Sequence, residues 1–278
     1  GLQEGAITTK TIVNCTGRYD YYAPQIFRCW IYTDYGRGHG RVDVRKAIQE
    51  SCNCFFYETG RLTGIDALNQ WATKLGLGQK TGVELIGESA GILAGPSYRE
   101  KKGLRWYAGD TLQAAIGQSD NLFTPIQIAN YVATLVNGGD RYKPHLVKAI
   151  KSYHMDTTII DTQPEVIQKV EMDDNIHKAI MNGMRSVAEE GTAASIFRKY
   201  PIAVGGKTGT ASVSKGTANG VFVAFAPFEN PEIAVAVVIE HGASGGNSAP
   251  VARDIFDVYF ANKENKNNDL IPENQLLQ

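Results

Sequence analysis

The chain has 278 residues, of which 43% are hydrophobic and 21% are charged, and its formal net charge at pH 7 is −1. This length suits one large domain or two small ones with an ample core. The near-zero charge gives no electrostatic reason to expect a nucleic-acid partner, and no apolar run approaches the length of a membrane span. The composition is that of an ordinary globular protein, so function has to be sought in local patterns.

Apolar periodicity divides the chain into helices and strands. In chain order, the sequence predicts irregular chain over 6–40, a helix from Arg41 to about Phe55, a helix over 65–75, a strand over 81–85, a long surface excursion over 86–109, a helix that starts at Thr124, short strands or a hairpin over 145–172, a helix over 173–189, strands over 200–211, 221–228 and 233–240, and a helix over 249–262. Strands in the last third with helices around them predict an α+β fold, an antiparallel sheet covered by helices.

The helix after Thr124 has the clearest start signal. Thr124 can cap it, Pro125 occupies the first helical position, and Gln127 completes a capping box. At the other end of the chain, residues 263–278 are polar and rich in Asn, which predicts a disordered tail. A single domain is therefore expected over residues 1–262.

A lysine, two hydroxyls and a glycine lie together on the first of the three C-terminal strands. They form the run Lys207-Thr208-Gly209-Thr210, which lies between two apolar segments. A positive charge flanked by hydroxyls suits a substrate carboxylate, and a glycine lets an extended peptide lie against the strand. A backbone N–H just after the glycine can face a developing oxyanion. Alone, the run is equally compatible with a solvated strand end.

Two segments offer a serine and an asparagine to face this lysine, Ser51-Cys52-Asn53 and Ser119-Asp120-Asn121. Residues 39–57, HGRVDVRKAIQESCNCFFY, resemble the block that carries a Ser-x-Asn motif in class B penicillin-binding proteins. Residues 115–129, AIGQSDNLFTPIQIA, resemble a different block of the same proteins, which packs near the site. Ser51 is therefore preferred, and the second match is interpreted as chance. The alternative that Ser51 and Asn53 only end one helix and begin the next stays open.

Further blocks in the same order extend this resemblance to about residue 260. Lys-Thr-Gly is a motif of penicillin-binding proteins and serine β-lactamases. Residues 87–91, 106–111 and 240–246 are similar to stretches of the elongation-type transpeptidase, penicillin-binding protein 2. The resemblance implies the penicillin-binding protein/serine β-lactamase-like transpeptidase fold. It also implies peptidoglycan D,D-transpeptidation through a serine acyl-enzyme, which cross-links the cell wall and is the target of β-lactams.

The serine nucleophile of this family belongs to a Ser-x-x-Lys motif that should precede Ser51, and no such motif lies upstream in this sequence. One literal match, Ser212-Val213-Ser214-Lys215, follows the Lys-Thr-Gly strand, and its order in the chain is wrong for the role. Residues 1–5 resemble the family just after its nucleophile helix. The sequence is therefore expected to be an N-terminally incomplete domain that is inactive alone, with its nucleophile outside the 278 residues.

The resemblance assigns the remaining site residues by position. The catalytic residues are Ser51, Asn53, Lys207 and Thr210, and the substrate-binding residues are Thr208, Gly209 and Thr210. In these roles Ser51 relays a proton toward the leaving amine and Asn53 holds the substrate amide. Lys207 and the threonines bind the terminal carboxylate, and the N–H of Thr210 contributes to the oxyanion hole. Two other functions share these motifs: a β-lactam-hydrolysing or β-lactam-sensing relative, and a non-catalytic penicillin-binding-like module.

No cofactor or metal is expected, because Cys52 and Cys54 have no second pair at metal-site spacing. Cys15 and Cys29 bracket a loop and are either a disulfide or two free thiols. His39 is expected to pack in a loop.

The resemblance also implies where the domain works and what it meets. It implies an extracytoplasmic domain, anchored to the cell membrane by a segment outside this sequence. The implied partners are peptidoglycan stem peptides, β-lactam antibiotics and membrane proteins of cell elongation, and no nucleic acid.

Overall fold

The computed structural model describes residues 1–268, which form both strands and helices. The strands are β1 (Val13–Cys15), β2 (Arg18–Tyr19), β3 (Phe27–Arg28), β4 (Gly40–Val42), β5 (Asp140–Tyr142), β6 (Ala149–Lys151), β7 (Thr158–Asp161), β8 (Val166–Lys169), β9 (Gly205–Ala211), β10 (Asn219–Ala226) and β11 (Ile233–Ile239). The helices are α1 (Trp30–Tyr35), α2 (Val44–Gln49), α3 (Asn53–Thr63), α4 (Ile65–Lys74), α5 (Pro96–Lys101), α6 (Ala108–Ala115), α7 (Pro125–Val136), α8 (Asp174–Glu189), α9 (Ala194–Phe197) and α10 (Gly245–Asn268).

The main sheet is antiparallel and has the strand order β11-β10-β9, so β9 is an edge strand. Phe222 and Phe225 lie on opposite faces of the central strand β10, and both are fully buried. Helix α8 packs against β9, while α7 and α10 pack against β10 and β11. The predicted α+β architecture is therefore confirmed, and β9 forms one of the two edges of the sheet.

Helix α7 begins as the sequence predicted. The hydroxyl of Thr124 accepts from the backbone N–H of Gln127, and the Gln127 side chain accepts from the backbone N–H of Thr124. Gln127 is fully buried, and its amide also donates to the carbonyls of Gln79 and Ala90. The capping residue therefore also fastens the chain that precedes α5.

The strand predicted over 81–85 is wrong. The backbone N–H groups of Thr81 and Gly82, together with the Thr81 hydroxyl, donate to the carboxylate of Glu88. These bonds close a turn and take the groups that strand pairing would use.

The single helix predicted from Arg41 to Phe55 is also wrong, because the segment forms two helices, α2 and α3. The N–H of Ser51 donates to the carbonyl of Ile48, and the N–H of Cys52 donates to that of Ala47. These are the two bonds of a Schellman motif, in which the residue after the helix takes a left-handed conformation. Ser51 occupies that position with φ of +53°. Apolar spacing continues across the break, so periodicity does not reveal it.

Helix α10 extends beyond its predicted limits at both ends and continues to Asn268, into the predicted tail. Ser248, Ala249, Ala252 and Phe256 form its buried face. The rest of the predicted tail, 269–278, lies outside the described residues. Among the helices that the structure describes, none combines the length and the apolar character needed to cross a bilayer.

Candidate active site

Lys207 on β9 and Ser51 between α2 and α3 meet in one cleft. The Lys207 ammonium donates hydrogen bonds to the hydroxyl of Ser51 at 2.7 Å and to the carbonyl of Thr208 at 2.8 Å. The structure thus brings together the two residues that the sequence blocks paired across most of the chain. The proton relay assigned to Ser51 remains a prediction.

The charge on Lys207 has no acidic partner within the described part of the chain. Although the residue is only partly buried as a whole, protein atoms enclose its ammonium, and this burial lowers the pKa of Lys207 to about 8. The lysine is therefore still mostly protonated at neutral pH. A poorly solvated cation without a counter-ion favours the binding of an anionic ligand.

Thr208 and Thr210 lie on the other face of β9 from Lys207, because side chains alternate along a strand. The Thr208 hydroxyl lies 2.7 Å from the hydroxyl of Thr192, which belongs to the connection between α8 and α9. Thr210 is exposed, and its carbonyl accepts a hydrogen bond from the Gln118 amide at 2.8 Å. Thr192 and Gln118 were missed by sequence reasoning, since no local pattern links either residue to β9.

The three glycines of β9 differ in how much space their surroundings would leave for a side chain. A Cβ on Gly205 would overlap the Phe225 ring, and one on Gly206 would lie 2.8 Å from the Val223 carbonyl. A Cβ on Gly209 would come no closer than 3.4 Å to its nearest neighbour, Val221, at ordinary contact distance. Internal packing therefore requires the first two glycines but not Gly209, as expected if Gly209 leaves room for a ligand.

The other candidate positions lie as follows. Asn53 is the first residue of α3, and its side-chain amide donates to the carbonyl of Arg28 at 3.4 Å. Its contact with a substrate amide therefore remains a prediction. Ser119 follows Gln118 in the loop between α6 and α7, and Ser212–Lys215 lie in the connection from β9 to β10.

The left-handed conformation of Ser51 has a measurable cost. An L-residue in this region costs about 1–2 kcal/mol, which glycine largely avoids. We therefore expect the free energy of unfolding, measured in urea, to be about 1 kcal/mol higher for Ser51→Gly than for Ser51→Ala. Both variants lose the hydroxyl that Lys207 contacts, so the difference between them isolates the backbone. An equal or reversed order would show that Ser51 is not held at positive φ.

Four further side chains converge beside Ser51. The sulfur atoms of Cys15, Cys29 and Cys52 and a ring nitrogen of His39 all lie within 4.8 Å of one another. The three cysteines are at most 1% exposed, and none of them forms a disulfide. The disulfide considered for Cys15 and Cys29 is therefore not present. Burial opposes protonation of His39, but its contacts with Cys15 and Cys29 outweigh this and raise the pKa of His39 to about 9.

The spacing within this Cys₃His cluster fits a metal. Zinc binds sulfur at about 2.3 Å and imidazole nitrogen at about 2.0–2.1 Å, so a tetrahedral site places these two ligand atoms about 3.5–3.6 Å apart. Nδ1 of His39 lies 3.6 Å from the sulfur of Cys15 and 3.5 Å from that of Cys29. The expectation of no metal rested on linear spacing, whereas these donors come from four separate segments.

The family model of the penicillin-binding protein transpeptidase domain matches residues 1–257, which include Ser51, Gln118 and Lys207. This chain belongs to that family. The predicted family and fold are thereby confirmed.

Individual proteins and solved structures similar to this chain support the same family assignment. The peptidoglycan D,D-transpeptidase MrdA of Acinetobacter baumannii is 33% identical over 99% of this chain and 42% of its own length. Pseudomonas aeruginosa PBP2, solved in complex with WCK 5153, superposes with a TM-score of 0.81 at 32% identity, covering 93% of this chain and 57% of that one. Helicobacter pylori PBP2, solved in complex with MreC, gives a TM-score of 0.75 at 26% identity over 93% and 49% of the two chains. The chain spans about two fifths of the length of the curated relatives it matches.

Proposed function

We propose that this chain forms the carboxylate-binding side of the active site in a peptidoglycan D,D-transpeptidase of the penicillin-binding protein 2 type. The observation that carries the proposal is the enclosed Lys207 ammonium, which has no acidic partner among the described residues and lies 2.7 Å from the Ser51 hydroxyl. It lies at the open edge of β9 in a chain of the transpeptidase family. The proposed substrate is a stem peptide that ends in D-Ala-D-Ala.

In this function the terminal carboxylate lies at the outer edge of β9, where the Lys207 ammonium approaches it from one face of the strand and the hydroxyls of Thr208 and Thr210 approach it from the other. The peptide lies extended along β9, where Gly209 leaves room. A serine of a Ser-x-x-Lys motif, supplied by residues outside this sequence, attacks the penultimate D-Ala carbonyl. The bond from the serine oxygen to the acyl carbon forms, and the C–N bond to the terminal D-Ala breaks. Ser51 passes the serine proton to the leaving amine, and the acceptor amine of a second stem then displaces the serine.

Mass spectrometry after incubation with benzylpenicillin tests this function. In a longer protein that includes the Ser-x-x-Lys segment ahead of Gly1, we expect one covalent adduct, on the serine of that segment. The 278-residue chain alone is expected to form none. An adduct on any serine of residues 1–278 would overturn both the assigned nucleophile and the motif order. Rapid loss of the adduct would instead identify a β-lactam hydrolase.

The setting of the whole protein is part of the same proposal. Helicobacter pylori PBP2 was solved in complex with MreC, and another similar structure is of a peptidoglycan synthase complex that coordinates polymerization and crosslinking. By analogy, we propose that the whole protein is extracytoplasmic, anchored to the membrane, and assembled with proteins of cell elongation. Stem peptides and β-lactams are its small ligands.

The Cys₃His cluster supports a second role, the binding of a structural Zn²⁺ by Cys15, Cys29, His39 and Cys52. The donor set is one that closed zinc sites use, and the two sulfur-to-nitrogen distances match a tetrahedral arrangement. Cys52 is the middle residue of Ser51-Cys52-Asn53. A metal held there would therefore tie the segment that carries Ser51 to β1, to the start of α1 and to the loop before β4.

A further inference from the structure

The outer edge of β9 is occupied by the protein's own side chains. Carbonyls two residues apart on a strand face the same side, and those of Thr208 and Thr210 each accept from a side chain. The donor at Thr208 is the Lys207 ammonium, and the donor at Thr210 is the Gln118 amide at 2.8 Å. An extended ligand that pairs with this edge needs the Thr210 carbonyl for one of its own N–H groups.

The backbone around Gln118 is held by contacts of the neighbouring residues, whereas the described hydrogen bonds of its side chain are limited to the one with the Thr210 carbonyl. Asp120 forms an ion pair with Arg99 at 2.6 Å, and the Asn121 side chain accepts from the backbone N–H of Ala94 at 2.9 Å. On the other side, the N–H of Gln118 donates to the carbonyl of Gln113 at 3.0 Å. The Gln118 side chain is partly exposed, so it can rotate toward solvent without any backbone movement.

We propose that Gln118 gates the substrate-binding edge of β9. This inference rests on the proposed function of the cleft. The Gln118 amide and a ligand N–H compete for the Thr210 carbonyl, and the amide stays bound until the ligand N–H displaces it. A ligand with an N–H at this position replaces the lost hydrogen bond, whereas a ligand without one leaves the gate closed. The same contact covers an exposed strand edge, which proteins commonly protect against pairing with other chains.

The test compares two β-lactams in the longer protein that includes the Ser-x-x-Lys segment. Benzylpenicillin carries an acylamino N–H next to its reactive ring, and imipenem has a hydroxyethyl group in its place. Gln118→Met keeps the length of the side chain but removes the donor. We expect it to raise the rate constant of acylation by benzylpenicillin about two- to tenfold relative to that by imipenem, the range for one neutral hydrogen bond.

Two further variants make the readout specific to the gate. Gln118→Glu also cannot donate when ionised, and its charge should slow both β-lactams together while the ratio of their rates rises as in Gln118→Met. Ser119→Ala is the control, because Ser119 lies in the same loop and its hydroxyl forms no hydrogen bond among the described residues. The ratio of the two acylation rates in this variant should equal that of the unsubstituted protein. Thermal melting of each variant checks that the loop is intact.

The outcomes separate the gate from the function on which it rests. An unchanged or lowered ratio in both Gln118 variants, in a protein that benzylpenicillin acylates, would overturn the gate and leave the transpeptidase assignment standing. A lack of acylation of the unsubstituted longer protein by either β-lactam would overturn the proposed function, and the gate with it.

Discussion

Replacing Lys207 by alanine in the longer protein is expected to slow acylation by carboxylate-bearing β-lactams about 10- to 150-fold. The variant loses a charge-assisted contact in a partly desolvated cleft, which contributes about 1.5–3 kcal/mol. The measurement is the second-order rate constant of acylation. Lys215→Ala is the matched control, because Lys215 is exposed in the connection that follows β9. Unchanged kinetics in Lys207→Ala would remove this residue from the site.

The pKa of Lys207 sets the pH dependence of the same reaction. Since burial lowers this pKa to about 8, the cation is lost as pH rises through about 8. Acylation by a carboxylate-bearing β-lactam should fall over that range. The free energy of unfolding should instead rise with pH over about the same range. A lysine in the unfolded chain titrates near 10.4, so between about pH 8 and 10 the unfolded state binds more protons than the folded state. Lys207→Ala should abolish both trends.

Removing zinc is expected to lower the melting temperature of the protein by about 10 °C when the free metal had been about 1,000-fold above its dissociation constant. Such saturation stabilises a folded protein by about 4 kcal/mol. For a chain of this size, the melting temperature changes by about 2–4 °C per kcal/mol of stability. The measurement is thermal unfolding before and after chelation. Loading with Co²⁺ should add the intense near-ultraviolet absorption of thiolate ligands.

His39→Ala should abolish both the chelator effect and the Co²⁺ absorption. His241→Ala is the control, because His241 is an exposed residue outside the Cys₃His cluster. A protein that retains no zinc after purification and melts at the same temperature with or without chelator would contradict the metal site. A mass lower by two hydrogen atoms, reversed by a reductant and mapped to a cross-link between the peptides of Cys15 and Cys29, would show that these two cysteines pair under oxidising conditions instead.

Much of the fold and part of the cleft could be predicted from the sequence because the relevant signals are local. The helix that starts at Thr124 was placed correctly, since its capping residues are adjacent in the chain. The order of the sequence blocks indicated the family, which is confirmed. The same order favoured Ser51 over Ser119 as the serine of the Ser-x-Asn motif. Lys207 was singled out as the first residue of a Lys-Thr-Gly motif, which gained weight from the other blocks in the right order.

The remaining features depend on contacts between distant segments, which no local pattern encodes. Apolar periodicity runs unbroken through residues 44–55, so the left-handed Ser51 emerged only from the Schellman bonds that end α2. The four donors of the Cys₃His cluster follow no linear metal spacing, because they come from four segments that meet only when the domain packs. Gln118 and Thr192 reach β9 from two connections between helices, and a polar loop residue shows its partner only after the chain has folded.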